Sequence, residues 1–244
     1  MSDTTASYGV WTSGSRHRNL ASVRDPSHGI PSPAMRTNPF FALDDVAVVR
    51  RLIEEHPWAT LVSQTADGLV ASHYPVLVDP DRQELSIVTH LGRPDERVHE
   101  LGEHELLVIV QGPHGYVSSS WYGAHVEVPT WNFVVAHLSG VPEVLSEEEN
   151  FAVLHRLVER FEGPVSHPRL LDGTPADAEN ARRDSRGTVG LRLTPTKIVA
   201  KRKMSQNKPP DVVRTIIGEL EGDGPYASPG LAREMRRVHG DGAG

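Results

Sequence analysis

Between Gln111 and Gly140 the chain reads QGPHGYVSSSWYGAHVEVPTWNFVVAHLSG. These thirty residues hold two Trp, two Tyr, one Phe, three His and a run of three Ser, in a chain that is only 6% aromatic. Aromatic faces beside hydroxyls and imidazoles suit a flat, partly polar cofactor, which needs broad apolar contact and a few oriented donors. Tyr116, Trp121 and Trp131 would supply the contact. Ser118, Ser119 and Ser120, with Tyr122, would supply hydroxyls, and His114 and His137 are further polar groups in the block. The competing reading is that the aromatics fill a core and the serines make turns. Outside the block, His73 in Ala-Ser-His-Tyr-Pro faces either a ligand or a structural hydrogen-bond partner. His90 ends an apolar run and, taken alone, is an ordinary strand-end histidine. Lys201, Arg202, Lys203 and Lys208 surround Met204-Ser205-Gln206-Asn207, a cluster able to bind phosphate or carboxylate, although a charge run is by itself a solvated face.

Composition narrows the classes. The chain has 244 residues, 38% hydrophobic and 23% charged, as expected for one or two globular domains. Lys+Arg 25 against Asp+Glu 32 gives a net charge of −7, which with no helix-turn-helix signature argues against a nucleic-acid partner. The absence of cysteine excludes disulfides, thiolate catalysis and Cys-ligated metal. No apolar run reaches the length of a membrane span and none near the N-terminus forms a signal, so a cytoplasmic protein is expected.

The elements that must position these residues follow from periodicity. Residues 1–34, rich in Ser, Gly, Pro and Arg, read as a disordered leader, and the tail over 222–244 as a fraying one, leaving a domain over 35–221. A helix is expected from Leu43 to Glu55 with Val46, Val49, Leu52 and Ile53 buried. Strands are expected over Ala59–Gln64 and Val70–Val78 around an Ala66-Asp67-Gly68 turn, then over Glu84–His90, Leu106–Val110, Trp131–Ser139, Gly187–Leu193 and Ile198–Ala200. A short helix is expected over Pro94–Leu101. A longer one opens at Ser146 with a Ser146/Glu149 capping box and runs to Phe161. Residues 164–186 read as an irregular lid. Short strands with peripheral helices predict a mainly β fold with α additions, a small barrel.

Several ordered blocks then resemble PaiB-type proteins. They are Phe41, His56-Pro57, Asp67 through Pro75, Gln111-Gly112-Pro113-His114, Tyr116-Val117-Ser118, Ser120-Trp121-Tyr122, Val128 through Phe133, and Lys203 through Lys208. The likeness spans about Met35 to Leu220. It implies a split β-barrel of the pyridoxamine-phosphate-oxidase type (PNPOx-like), a homodimer with a planar cofactor at the subunit interface. The family is named for negative transcriptional regulation and is usually assigned FMN. Its piperazate synthases are similar in sequence and use haem b.

The resemblance also assigns roles. Thr89-His90-Leu91-Gly92-Arg93 keeps the histidine that looks like the proximal iron ligand in the haem-using relatives, which makes His90 the expected axial ligand and Arg93 a propionate partner. Pro94-Asp95-Glu96 departs from the Ala-Asn-Pro usual there. The six residues from Gly123 to Val128 resemble the short link of piperazate synthases, as does Phe133, whereas Ser119-Ser120-Trp121 and Met204 through Lys208 lie closer to the flavin pattern. The expected pocket is therefore His90, Arg93, Tyr116, Trp121, Trp131, Lys203 and Gln206 around haem b, with FMN as the alternative. The expected activity is intramolecular N–N bond formation on an N-hydroxylated diamino acid of the N5-hydroxyornithine kind, with His73, Ser120 or Tyr122 as proton donor. An FMN-dependent oxidoreductase or a transcriptional regulator is the alternative.

Overall fold

In the computed structural model the described residues are 35, 38–125 and 127–240, so the expected leader lies outside them. Helix α1, Val46–Glu55, starts where Asp45 accepts a hydrogen bond from the Ala47 amide at 2.9 Å. Val49, Leu52 and Ile53 are buried as their spacing requires, but Val46 is 46% exposed because the first turn overhangs the sheet. Strands β1, Trp58–Thr65, and β2, Gly68–Pro75, form the expected hairpin, with Gly68 at φ +118° after the two-residue turn.

The strand expected to run on to Val78 is two strands. Pro75 has no amide hydrogen to continue the ladder. The chain turns at Val76, and β3, Leu77–Val78, pairs instead with Ile87 and Val88 of β4, Ile87–Gly92. That handover joins the two antiparallel sheets. Sheet 1 has the order β2-β1-β5-β6-β9, and sheet 2 the order β3-β4-β8-β7. In sheet 1, β5 is Leu106–Val117, β6 is Thr130–Gly140 and β9 is Lys197–Lys203; in sheet 2, β7 is Glu143–Val144 and β8 is Thr188–Leu193.

Alternation decides the layers. Ala59 and Leu61 of β1, Val108 and Val110 of β5, and Ala136 and Leu138 of β6 face inward against Ile87, Leu91, Leu191 and Leu193 of sheet 2. Burying each such aliphatic side chain contributes about 1.5–3 kcal/mol. The fold is a split β-barrel, mainly β with helices at its periphery.

Helix α2, Arg93–Val98, follows β4 directly. Helix α3, Glu147–Glu162, has the expected capping box: the Ser146 hydroxyl accepts from the Glu149 amide at 3.3 Å, and the Ser146 amide donates to the Glu149 carboxylate at 3.0 Å. Its Val153 and Leu157, with Leu145, pack on Val88 from the outer side of sheet 2.

Two expectations need correction. Residues 164–186 contain helix α4, Pro175–Ser185, capped by Thr174 accepting from the Asp177 amide at 3.1 Å; it buries no residue, so it has no apolar stripe to read. The expected fraying tail contains helix α6, Pro229–His239, whose Leu231, Ala232 and Met235 are buried beside α5, Pro210–Glu221. Those three residues stand among arginines, Gly and Pro, and the composition hid them.

Candidate functional site

The outward face of sheet 1 carries the first group of candidates. Cross-strand register aligns His73, Thr60, Ile109, His137 and Val199 in one row, and Gln111, Val135 and Lys201 in the next. Regular alternation would then place residues 113 and 115 outward. A bulge between Gln111 and His114 shifts the register, so His114 stands outward opposite Phe133 and Lys203, and Tyr116 opposite Trp131. The single extra residue thus assembles the aromatic wall. Trp131 lies 6.4 Å from His114, stacked, and 6.2 Å from Tyr116, edge-on, while Tyr116 meets Tyr226 at 4.7 Å. Gly112 makes the bulge possible: a Cβ there would lie 2.6 Å from Leu52 and 2.8 Å from Val134.

His73 belongs to an open cleft of about 700 Å³ on the same face, lined also by His56, Trp58, Thr60, Gln111 and His114. Its ring stacks on Trp58 at 6.5 Å and its Nδ1 is 3.1 Å from the Thr60 hydroxyl. Such a histidine is oriented yet accessible, as a proton carrier must be. His137 is half-buried on the same row, and burial lowers its pKa.

A cationic group closes the far edge of this face. Lys203 donates to the Thr130 hydroxyl; burial, then the neighbouring Lys201 and Lys208, lowers its pKa. Lys201 lies over the Phe133 ring at 5.4 Å, and Lys208 pairs with Glu127 at 2.5 Å and covers the Tyr122 ring at 5.2 Å. Gln206 takes another role than expected. Its Oε1 accepts from the Met204 amide at 2.7 Å and its Nε2 donates to the Arg202 carbonyl, so the side chain shapes the turn after β9.

The 119–122 segment is a 3₁₀ turn. Ser118 caps it, and its hydroxyl is 2.8 Å from that of Ser120, which is exposed. Trp121 packs partly against the main core. Tyr122 is 2% exposed within that core, and burial, followed by Glu127, raises its pKa. A buried phenol of raised pKa is a poor donor to an open cleft; of the three expected donors, His73 is the one the cleft exposes.

His90 lies elsewhere. On β4 the residues alternate, and Val88 and His90 point away from the barrel core toward α3. The His90 ring meets Tyr74 edge-on at 5.9 Å, and burial lowers its pKa, leaving a neutral imidazole. Its Nδ1 is buried with no hydrogen-bond partner. Nε2 also has no hydrogen-bond partner among the described residues. Arg93 pairs with Glu96 at 3.0 Å and donates to the Arg186 carbonyl at 3.4 Å. Within the chain, His90 and Arg93 therefore border α3 and β8, whereas His73, Trp131 and Lys203 line the outer face of sheet 1. The candidates form two groups.

Sequence reasoning missed a part-buried hydrogen-bond chain next to His90. Tyr74 and Ser72 donate to the Asp95 carboxylate at 2.6 and 3.1 Å; the Ser72 hydroxyl lies 3.0 Å from His99 Nε2, and His99 Nδ1 lies 2.8 Å from Ser63. Since Ser72 spends its proton on Asp95, it accepts from His99 Nε2–H, and His99 Nδ1 accepts from Ser63. The Gly92 amide donates to the Tyr74 hydroxyl at 3.2 Å, fastening the end of β4. The one hint in the sequence was Asp95, where the family pattern has another residue.

A family model described as "Putative FMN-binding domain" matches residues 35–197. The chain belongs to this FMN-binding-domain family. Within the family, the chain is 29% identical over 187 residues to the "Protease synthase and sporulation protein PAI 2" of Bacillus subtilis, covering 75% of this chain and 88% of that protein. The PaiB-type resemblance therefore holds. Among solved structures, the FAD and haem binding protein from Mycobacterium smegmatis superposes with a TM-score of 0.50 at 19% identity, over 66% of this chain and 73% of that one. The hypothetical protein Rv2991 from Mycobacterium tuberculosis gives a TM-score of 0.51 at 12% identity, over 72% and 94%. Those two likenesses concern the fold. Among the described residues, no helix is long and apolar enough to cross a membrane.

Proposed function

We propose that this member of the family is a homodimeric enzyme that holds haem b through His90 and forms an N–N bond within an N-hydroxylated diamino acid. The observation that carries this reading is the state of His90: neutral through burial, with an enclosed Nδ1 and with neither ring nitrogen hydrogen-bonded among the described residues. A neutral imidazole whose nitrogens are not committed to protein hydrogen bonds is the donor an axial position requires. The short 123–128 link and the retained His90–Arg93 pair support the same reading. Bound haem iron would supply a Lewis acid for polarising an N–O bond.

The reaction balances without an external oxidant or reductant. One N–O bond breaks, one N–N bond forms, and the oxygen leaves as water with two protons. The chain's own work is to hold the second amine within attack distance and to deliver a proton to the departing oxygen. His73, ordered by Trp58 and Thr60 yet exposed, is assigned the proton. Tyr116 and Trp131 would supply apolar ring contact, and Lys203 with Lys201 a cationic edge for carboxylates, to the group held by His90 of a second copy, because they lie on another face of the chain from its own His90.

The dimer belongs to this reading. Val62, Leu107, Ile109, Phe133, Val135 and Val199 stand half-buried on a sheet face that no helix among the described residues covers, and a second copy would remove that apolar surface from water. A second reading, FMN in place of haem, is favoured by one feature: Lys201, Lys203 and Lys208 form the cationic group a flavin phosphate needs.

The absorption spectrum of the purified protein, before and after adding hemin, tests the choice. A Soret band that His90→Ala abolishes or shifts is expected. Flavin absorption in the purified protein, with hemin binding indifferent to His90→Ala, would sink the haem assignment. Light scattering is expected to give twice the 26.8 kDa chain mass, and Ile109→Glu to give a monomer.

A further inference from the structure

A second cavity, of about 130 Å³, lies where the start of α3, the end of α4 and strand β8 meet, with Arg93 at its rim. Its apolar wall is Leu145, Phe151 and Val189. Five charged residues line it, Arg93, Glu147, Glu148, Arg182 and Arg186, and among them Glu147 and Arg186 stand apart. Neither has an ion-pair or hydrogen-bond partner for its charged group among the described residues, and they do not pair with each other. The neighbouring charges are already committed: Arg182 pairs with Glu148 at 3.4 Å and lies over the Phe151 ring at 4.4 Å, and Arg93 pairs with Glu96.

We propose that this cavity is a binding site for the zwitterionic head group of a small α-amino acid. The ligand carboxylate meets the Arg186 guanidinium, which offers paired N–H donors to a planar oxyanion. The ligand ammonium meets the Glu147 carboxylate. A short aliphatic side chain lies on Leu145, Phe151 and Val189. The volume leaves room for such a head group. A simple carboxylate or amine would satisfy only one of the two charges.

The floor is built to keep its shape. Asn150 donates to the Thr188 hydroxyl at 3.0 Å and to the Ser185 carbonyl at 3.4 Å, tying α3 to the β8 start and to the α4 end. Its Cα lies only 3.0 Å from where a Cβ on Gly190 would stand, and Gly190 is the register partner of His90. The cavity is thus one strand from the group assigned to the cofactor, but the proposal concerns the cofactor-free chain.

Isothermal titration of the full cofactor-free chain tests it, with L-2-aminobutyrate, butyrate, 1-aminopropane and inorganic phosphate as probes. Aminobutyrate is expected to bind saturably, with the other three at least about tenfold weaker. Arg186→Ala and Glu147→Gln, both at exposed positions that folding does not depend on, are each expected to weaken aminobutyrate by about tenfold or more. Glu147→Gln should leave butyrate binding unchanged. No saturable aminobutyrate binding, phosphate binding as tightly, or indifference to both substitutions would overturn the site. The spectral test of His90 reads a different property, so either result stands without the other.

Discussion

At the scale of single residues, the orientation of His90 rests on a set of part-buried groups. Its ring leans on Tyr74, and the Tyr74 hydroxyl both donates to Asp95 and accepts from the Gly92 amide. The aromatic ring and the hydroxyl therefore do separate work, one as a wall and one as a fastening. Tyr74→Phe keeps the wall and removes the fastening. It leaves a part-buried carboxylate with one donor fewer and a backbone amide without its acceptor, which costs about 1–3 kcal/mol. A urea midpoint lowered by that amount is expected, with the strand and helix signals of the folded state unchanged. An unaltered midpoint would mean that water replaces the hydroxyl and that the chain to His99 is not a structural unit.

At the scale of elements, α3 sits close on sheet 2 because Gly190 has no side chain. Gly190→Ala would press a methyl group against the Asn150 backbone at 3.0 Å, and a helix backbone cannot rotate aside as a side chain can. The helix must lift, at a cost of about 1–3 kcal/mol. Weaker aminobutyrate binding is expected with it, since the cavity floor moves; a variant of full stability and full affinity would show that α3 is not seated this way. What could be read in the sequence divides along the same physical line. The Ala66-Asp67 hairpin and the Ser146/Glu149 box were legible because turn and cap chemistry is local. The change of sheet at Pro75 and the bulge before His114 were not, because each is defined by a partner strand far along the chain. Helix α4 has no buried face, and the Leu231-Ala232-Met235 stripe of α6 is too sparse against its arginines. At the site, residue types were legible but facing was not: one shift of register decides whether His114 points in or out, and the parity of β4 turns His90 toward α3.

At the scale of the whole molecule, the burial of neutral imidazoles makes stability depend on pH. His99 is 1% exposed; burial lowers its pKa and Asp95 only partly opposes this, and burial lowers that of His137 as well. As pH falls below the ordinary value of 6.5, the unfolded chain takes up protons that the folded chain refuses. Their stabilisation is thus complete above that value and is lost on the way down to the folded pKa values, at no more than about 1.4 kcal/mol per pH unit for each. His155 works in the other direction. Burial disfavours its charged form, but Asp172 and Glu159, at 3.2 and 3.3 Å, outweigh that and raise its pKa. Its contribution is present below the unfolded value and disappears as pH rises through the folded one. With His90, whose pKa burial lowers too, three histidines against one predict a net loss of stability between pH 7.5 and 5.5, read as a falling urea midpoint in cofactor-free protein. His155→Gln removes the opposing contribution and should steepen that fall, whereas His99→Gln should flatten it even though it lowers the midpoint at pH 7.5. If the two substitutions changed the slope in the same direction, neutral His99 and charged His155 could not both describe the folded chain.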